Sequence, residues 1–90
     1  MLERELIVSN RLGLHARATA KLVQALSGFT CNATLSAKGR EVNAKSIMGV
    51  MLLAAGPGAT VLVRVDGEDE AAAMQAVVDL FERHFDEAQS

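Results

Sequence analysis

The sequence predicts an α+β fold: an open-faced two-layer β-sandwich with a four-stranded antiparallel sheet and three helices on one face. Three observations lead there. Four segments alternate apolar and polar residues with the two-residue period of half-buried strands, while three others carry apolar stripes at helical spacing. They follow the order β-α-β-β-α-β-α, and strands with two unlike faces suit an antiparallel sheet covered on one side. The chain, at 90 residues, makes one domain, 1–90, and folding at that size buries only about 60% of the unfolded surface. The core should be thin, and function should lie on a surface.

Taken in order, Leu2, Arg4, Leu6 and Val8 alternate with Glu3, Glu5, Ile7 and Ser9, with Ile7 interrupting the polar face. Asn10 to Leu14 contains Gly13 and reads as a loop. From Ala16 the period becomes helical: Thr19, Leu22, Val23 and Leu26 line one face, Arg17, Lys21, Gln24 and Ser27 the other, and Gly28 can end the last turn. Residues 32–44 read as a hairpin with Ala33, Leu35 and Ala37 on one side and Lys38-Gly39 at the turn. Ser46 can cap a short helix over Ile47 to Leu53, which Gly56-Pro57-Gly58 terminates. Thr60 to Asp66 is the clearest strand, with Val61, Val63 and Val65 on one face. After a turn at Asp66-Gly67, Asp69 can cap a final helix whose stripe is Met74, Val77, Val78, Phe81 and Phe85.

Composition narrows the function classes. Nine basic and eleven acidic residues give a net charge of −2, which argues against a nucleic-acid binder. At 50% hydrophobic and 22% charged residues, the chain is too apolar for intrinsic disorder. The single cysteine, Cys31, can neither close an intrachain disulfide nor suggest a metal site, and reads as a small hydrophobe. No signal-peptide block is visible, and no apolar run approaches the ~20 residues of a membrane span. The expectation is a cytoplasmic protein without a cofactor.

The chemistry concentrates in Gly13-Leu14-His15-Ala16-Arg17. With a helix starting at Ala16, His15 takes the capping position, beside backbone N–H groups that lack partners inside the helix. A neutral imidazole nitrogen is a competent nucleophile near pH 7. Once it carries a phosphoryl group, the amides of Ala16 and Arg17 and the positive end of the helix dipole stabilise the anionic oxygens. The forked guanidinium of Arg17 can add further donors. Equally, a histidine before a helix serves as an ordinary loop residue, and spacing alone does not choose between the two.

The run Asn10-Arg11-Leu12-Gly13-Leu14-His15-Ala16-Arg17 is joined by Ala44-Lys45-Ser46-Ile47-Met48-Gly49-Val50-Met51 and by Gly67-Glu68-Asp69-Glu70. Together they resemble the histidine-containing phosphocarrier (HPr) family of the bacterial phosphoenolpyruvate-dependent phosphotransferase system, over essentially the entire chain. The resemblance implies that His15 is phosphorylated through Nδ1 and that Arg17 is its electrostatic partner. It also implies enzyme I as donor and an EIIA-type protein as acceptor. One departure stands out: the family usually has proline after the arginine, and this chain has Ala18. Alanine loosens the fixed φ of the helix start but restores an N–H.

Ser46 is the second candidate. As a plain N-cap it needs no further role. Its surrounding sequence is also similar to family members that an HPr kinase/phosphorylase modifies on this serine. A phosphate there, carrying about −1.5 to −2 charge, would repel acidic surfaces of a donor. Ile47, Met48, Met51 and Leu52 cannot all be buried by so short a helix. With Leu14, Arg17, Lys21 and Gln24 they would make an apolar docking patch with a basic rim. His84 is assigned to the helix C-terminus or to solvent.

Three function classes compete. A monomeric phosphoryl carrier needs an exposed nucleophile and a shared docking face. An independent enzyme such as a phosphatase would need an acid near the site, and no carboxylate lies between Glu5 and Glu41. A purely regulatory protein-binding module of the nitrogen-related branch is the third, since Leu80 to Glu87 looks somewhat like carriers of that branch.

Overall fold

Strand β1 (Leu2–Ile7) forms one edge of the sheet, and its charges suit that place. An edge carrying Glu3, Arg4 and Glu5 discourages pairing with other chains. Helix α1 (Ala16–Ser27) follows, then a hairpin of β2 (Asn32–Ala37) and β3 (Arg40–Asn43), the short helix α2 (Ile47–Leu52), β4 (Thr60–Asp66), and helix α3 (Glu70–Glu82). A short turn, His84–Asp86, ends residues 1–86, the part that the computed structural model describes.

The strands pair antiparallel in the order β1-β4-β2-β3, and three helices complete an open-faced α+β fold. Strand β4 sits inside the sheet, so its branched residues are the most confined. Val61, Val63 and Val65 are fully buried, with Val63 opposite Leu35 and Val65 opposite Ala33. Leu22 and Leu26 of α1 and Val77 of α3 belong with them to one buried core. Burying such side chains contributes roughly 1.5–3 kcal/mol each. The hairpin turns at Lys38 and Gly39, both with positive φ (53° and 78°), the backbone shape that matches the twist of paired strands. Among the described residues no helix is long and apolar enough to cross a membrane.

Several elements depart from expectation. The inward face of β1 is covered only toward its end: Leu2 is exposed, Leu6 half-buried, and Val8, just past the strand, fully buried. Helix α3 packs against both β1 and β4, yet the exposure of Leu2 shows that the start of β1 extends past its cover. Helix α2 ends at Leu52 rather than Leu53, because Ala54 turns left-handed (φ 50°) before the Gly-Pro-Gly segment. Helix α3 ends at Glu82, so Phe85 leaves the helical stripe. It is buried all the same, because left-handed φ values at His84, Phe85 and Asp86 fold it back. Its ring meets Phe81 edge-on at 4.9 Å.

Asp69 stands at the start of α3 but makes no capping bond. Its carboxylate accepts instead from the Thr30 amide (2.7 Å), the Cys31 amide (2.9 Å) and the Thr30 hydroxyl (3.2 Å). Those amides lie in the connection from α1 to β2, and the carboxylate supplies them with an acceptor. Glu70 serves the start of α3, accepting from the Gly67 amide at 3.1 Å and pairing with the terminal ammonium at 3.1 Å. Cys31 is buried beside this junction, and burial, reinforced by the Asp69 carboxylate, pushes its thiol up.

The donors to Asp69, led by the Thr30 amide, hold its carboxyl below its ordinary 3.8. A depressed folded-state value stabilises the protein above the unfolded pKa, and that stabilisation fades as pH falls through the folded value. Asp69→Asn should therefore unfold at lower denaturant concentration than the native chain near pH 7. The two midpoints should converge in acid well below about pH 4, as denaturant titrations at a series of pH values would show.

Candidate functional site

Loop 9–15 is fixed by backbone. Val8 donates to Ala59 O (2.9 Å), Gly58 to Val8 O (2.7 Å), and Leu14 to Ala55 O (2.9 Å). Gly13 lets the two loops meet: its φ is 67°, and a Cβ there would lie 2.8 Å from both Ala55 O and Gly56 Cα. Buried Asn10 donates through Nδ2 to Gly13 O at 2.7 Å, bracing the loop from within. The chain then enters α1 with His15 extended at the N-cap (φ −77°, ψ 179°) and half-exposed. The His15 side chain makes no capping bond, and the first intrahelical bond runs from Thr19 N–H to His15 O at 2.9 Å. The amides of residues 16–18 thus precede the hydrogen-bonded ladder and face the end of the helix. Ala18 is buried, so the methyl group that stands where a proline ring was expected packs inward.

Around His15 lies an open depression of about 690 Å³, lined by Arg11, Leu12, His15, Arg17, Lys21, Phe85 and Asp86. Arg17 is exposed in the first turn of α1. Lys21, one turn further on, pairs with Asp86 at 3.1 Å, and Asp86 also accepts from Arg83 at 3.0 Å. Arg83 and then Lys21 hold the Asp86 carboxyl below the usual range. Sequence alone assigns no site role to Arg11, Leu12, Phe85 or Asp86. Arg11 and Leu12 at least sat within the Asn10–Arg17 run, whereas nothing local connects residues 85–86 to a helix start some seventy positions earlier.

Ser46 occupies the N-cap of α2, and its hydroxyl accepts from the Gly49 amide at 3.1 Å. Helix α2 packs against α1 and buries Val50 against the core. Ile47, Met48, Met51 and Leu52 remain exposed, Met48 at 78%, and Gln24 is exposed on α1. Leu14 does not join them. At 5% exposure it is part of the core, because the bond to Ala55 turns its side chain under the loop. Leu12, exposed at 66%, is the apolar side chain that this loop presents. His84 also lies elsewhere than expected: its Nδ1 is 2.8 Å from the Ser9 hydroxyl, tying the last turn to the loop before His15. Among the described residues there is no group of three or more His, Cys, Asp or Glu fit to hold a metal ion.

Comparison with known proteins agrees with this geometry. Residues 2–83 match the family model described as the PTS HPr component phosphorylation site. The chain is 71% identical to the phosphocarrier protein HPr of Xylella fastidiosa over 87 residues, 97% of this chain and 98% of that one. Among solved structures, HPr from Thermoanaerobacter tengcongensis superposes with a TM-score of 0.95 at 40% identity, covering 99% of this chain and 100% of the other. An HPr dimer from the same organism gives 0.78 at 41% identity over 97% and 100% of the chains. The chain belongs to the HPr phosphocarrier family of the phosphotransferase system, whose members carry phosphoryl groups rather than catalyse turnover.

Proposed function

We propose that His15 accepts a phosphoryl group from phosphorylated enzyme I, through Nδ1, and passes it to an EIIA-type protein in the cytoplasm. The observation that carries this reading is the position of His15: half-exposed, at an uncapped helix start, in a depression it shares with Arg17. The lone pair of the ring nitrogen attacks phosphorus in line as the bond to the donor breaks. The amides at the start of α1, with Arg17, then take up the charge of the bound group. Partners would dock over Ile47, Met48, Met51 and Leu52, with Lys21 and Gln24 at the rim. We read the chain as working as a monomer, which leaves this face free, although the T. tengcongensis relative is also known as a dimer.

We further propose that Ser46 is a regulatory phosphorylation site for an HPr kinase/phosphorylase. The exposed residues of α2 follow it directly, so a phosphate there would stand beside the docking face.

Incubation with phosphoenolpyruvate and enzyme I should place one acid-labile, alkali-stable phosphate on each chain and none on His15→Ala. A regulatory module without carrier activity would take no label. Arg17→Ala should slow transfer by roughly 10- to 100-fold, the scale of a charged hydrogen bond, without altering the melting transition. Unchanged stopped-flow rates would remove Arg17 from the site. Ser46→Asp should slow loading by about tenfold, since local charge changes association rates on that scale, and rates equal to the native chain's would count against regulation.

A further inference from the structure

Resting on the carrier reading of His15, we propose that Lys21 is a phosphate-holding residue, kept in reserve by Asp86 while His15 is empty. On this view Asp86 works against loading, and the two residues of one ion pair have opposite effects on the same reaction.

Arg17 and Lys21 stand four residues apart on α1, hence on one face with neighbouring Cβ positions. Long side chains on a helix lean toward its N-terminus, which directs the Lys21 ammonium toward the end occupied by His15. Both residues line the depression that contains His15. Asp86 reaches the same depression from the far end of the described chain and holds Lys21 at 3.1 Å. Among the described residues that line the depression, Asp86 is the carboxylate, set against Arg11, Arg17 and Lys21.

A phosphoryl group on His15 adds about −1.5 to −2 charge to this space. It repels the Asp86 carboxylate and attracts the Lys21 ammonium. The exchange leaves no charge stranded, because Asp86 keeps its second partner, Arg83, at 3.0 Å. Lys21 is a third exposed, the pair is solvated, and the ammonium is free to rotate between two acceptors. Empty, the depression has its positive charge partly neutralised. Loaded, it gains a cation without any movement of the backbone.

The test compares Lys21→Gln with Asp86→Asn, both of which break the same ion pair. With limiting labelled phosphoenolpyruvate and enzyme I, the partition of label between enzyme I and the chain gives the loading equilibrium. Lys21→Gln should shift it about two- to fivefold toward enzyme I, and Asp86→Asn by a similar factor toward the chain, the scale of an exposed charge pair. Lys21→Arg should restore the native partition, and high salt should shrink both shifts. Equal or same-direction shifts would mark the pair as merely structural and overturn the proposal. A native chain that takes no label would instead overturn the carrier reading, and this inference with it.

Discussion

The placement of His15 depends on one backbone hydrogen bond, from the Leu14 amide to Ala55 O. It joins the loop before α1 to the loop before β4, and it forms only because Gly13 brings no Cβ between them. Leu14 is thereby driven into the core, and His15, the next residue, emerges at the surface at the very start of the helix. Any side chain at position 13 would meet backbone atoms rather than a yielding side chain, so the loop would have to lift. His15 is thus aimed by packing of the main chain.

A second constraint comes from size. Helix α2 has six residues and one neighbouring helix, and it can bury a single side. Val50 takes the inward position, while Ile47, Met48, Met51 and Leu52 stay in water. Apolar exposure of this kind forgoes stabilisation that burial would give. It persists in a chain whose core is otherwise closed by aliphatic side chains with Met74, Phe81 and Phe85. Methionine suits such a surface, because its unbranched side chain adapts to partners of different shape.

How much of this could be read in advance follows from range. The period of residues 32–37, the Lys38-Gly39 turn, the branched face of β4 and the Ser46 cap are set by neighbours within a few positions, and the structure shows each as expected. His15 at the helix start is equally local. What escaped was long-range. Asp69 looks like a cap in sequence, yet its acceptor oxygens are claimed by amides 38 and 39 positions away. Leu14 looks like a surface neighbour of His15 until the loop before β4 is in place over it. The rim of the depression is completed by residues 85–86, beyond the end of α3, where left-handed backbone cancels the helical spacing that sequence suggested.

The openness of the site accounts for its chemistry. A helix start and one arginine, both in water, are each worth on the order of 1 kcal/mol to an anion. Enzymes lower barriers by roughly 8–23 kcal/mol, using charges fixed in places that water cannot enter. Among the described residues, nothing gives the half-exposed histidine in its wide depression such an enclosure. The same charges strengthen several-fold when a docked surface excludes solvent, because the local dielectric falls. On the proposed reading, the exposed apolar side of α2 is the means of docking, and the start of α1 is what the docked complex then uses. Separately neither would drive transfer, so under the proposed carrier function a chain with this geometry keeps its phosphoryl group between partners and gives it up only inside one.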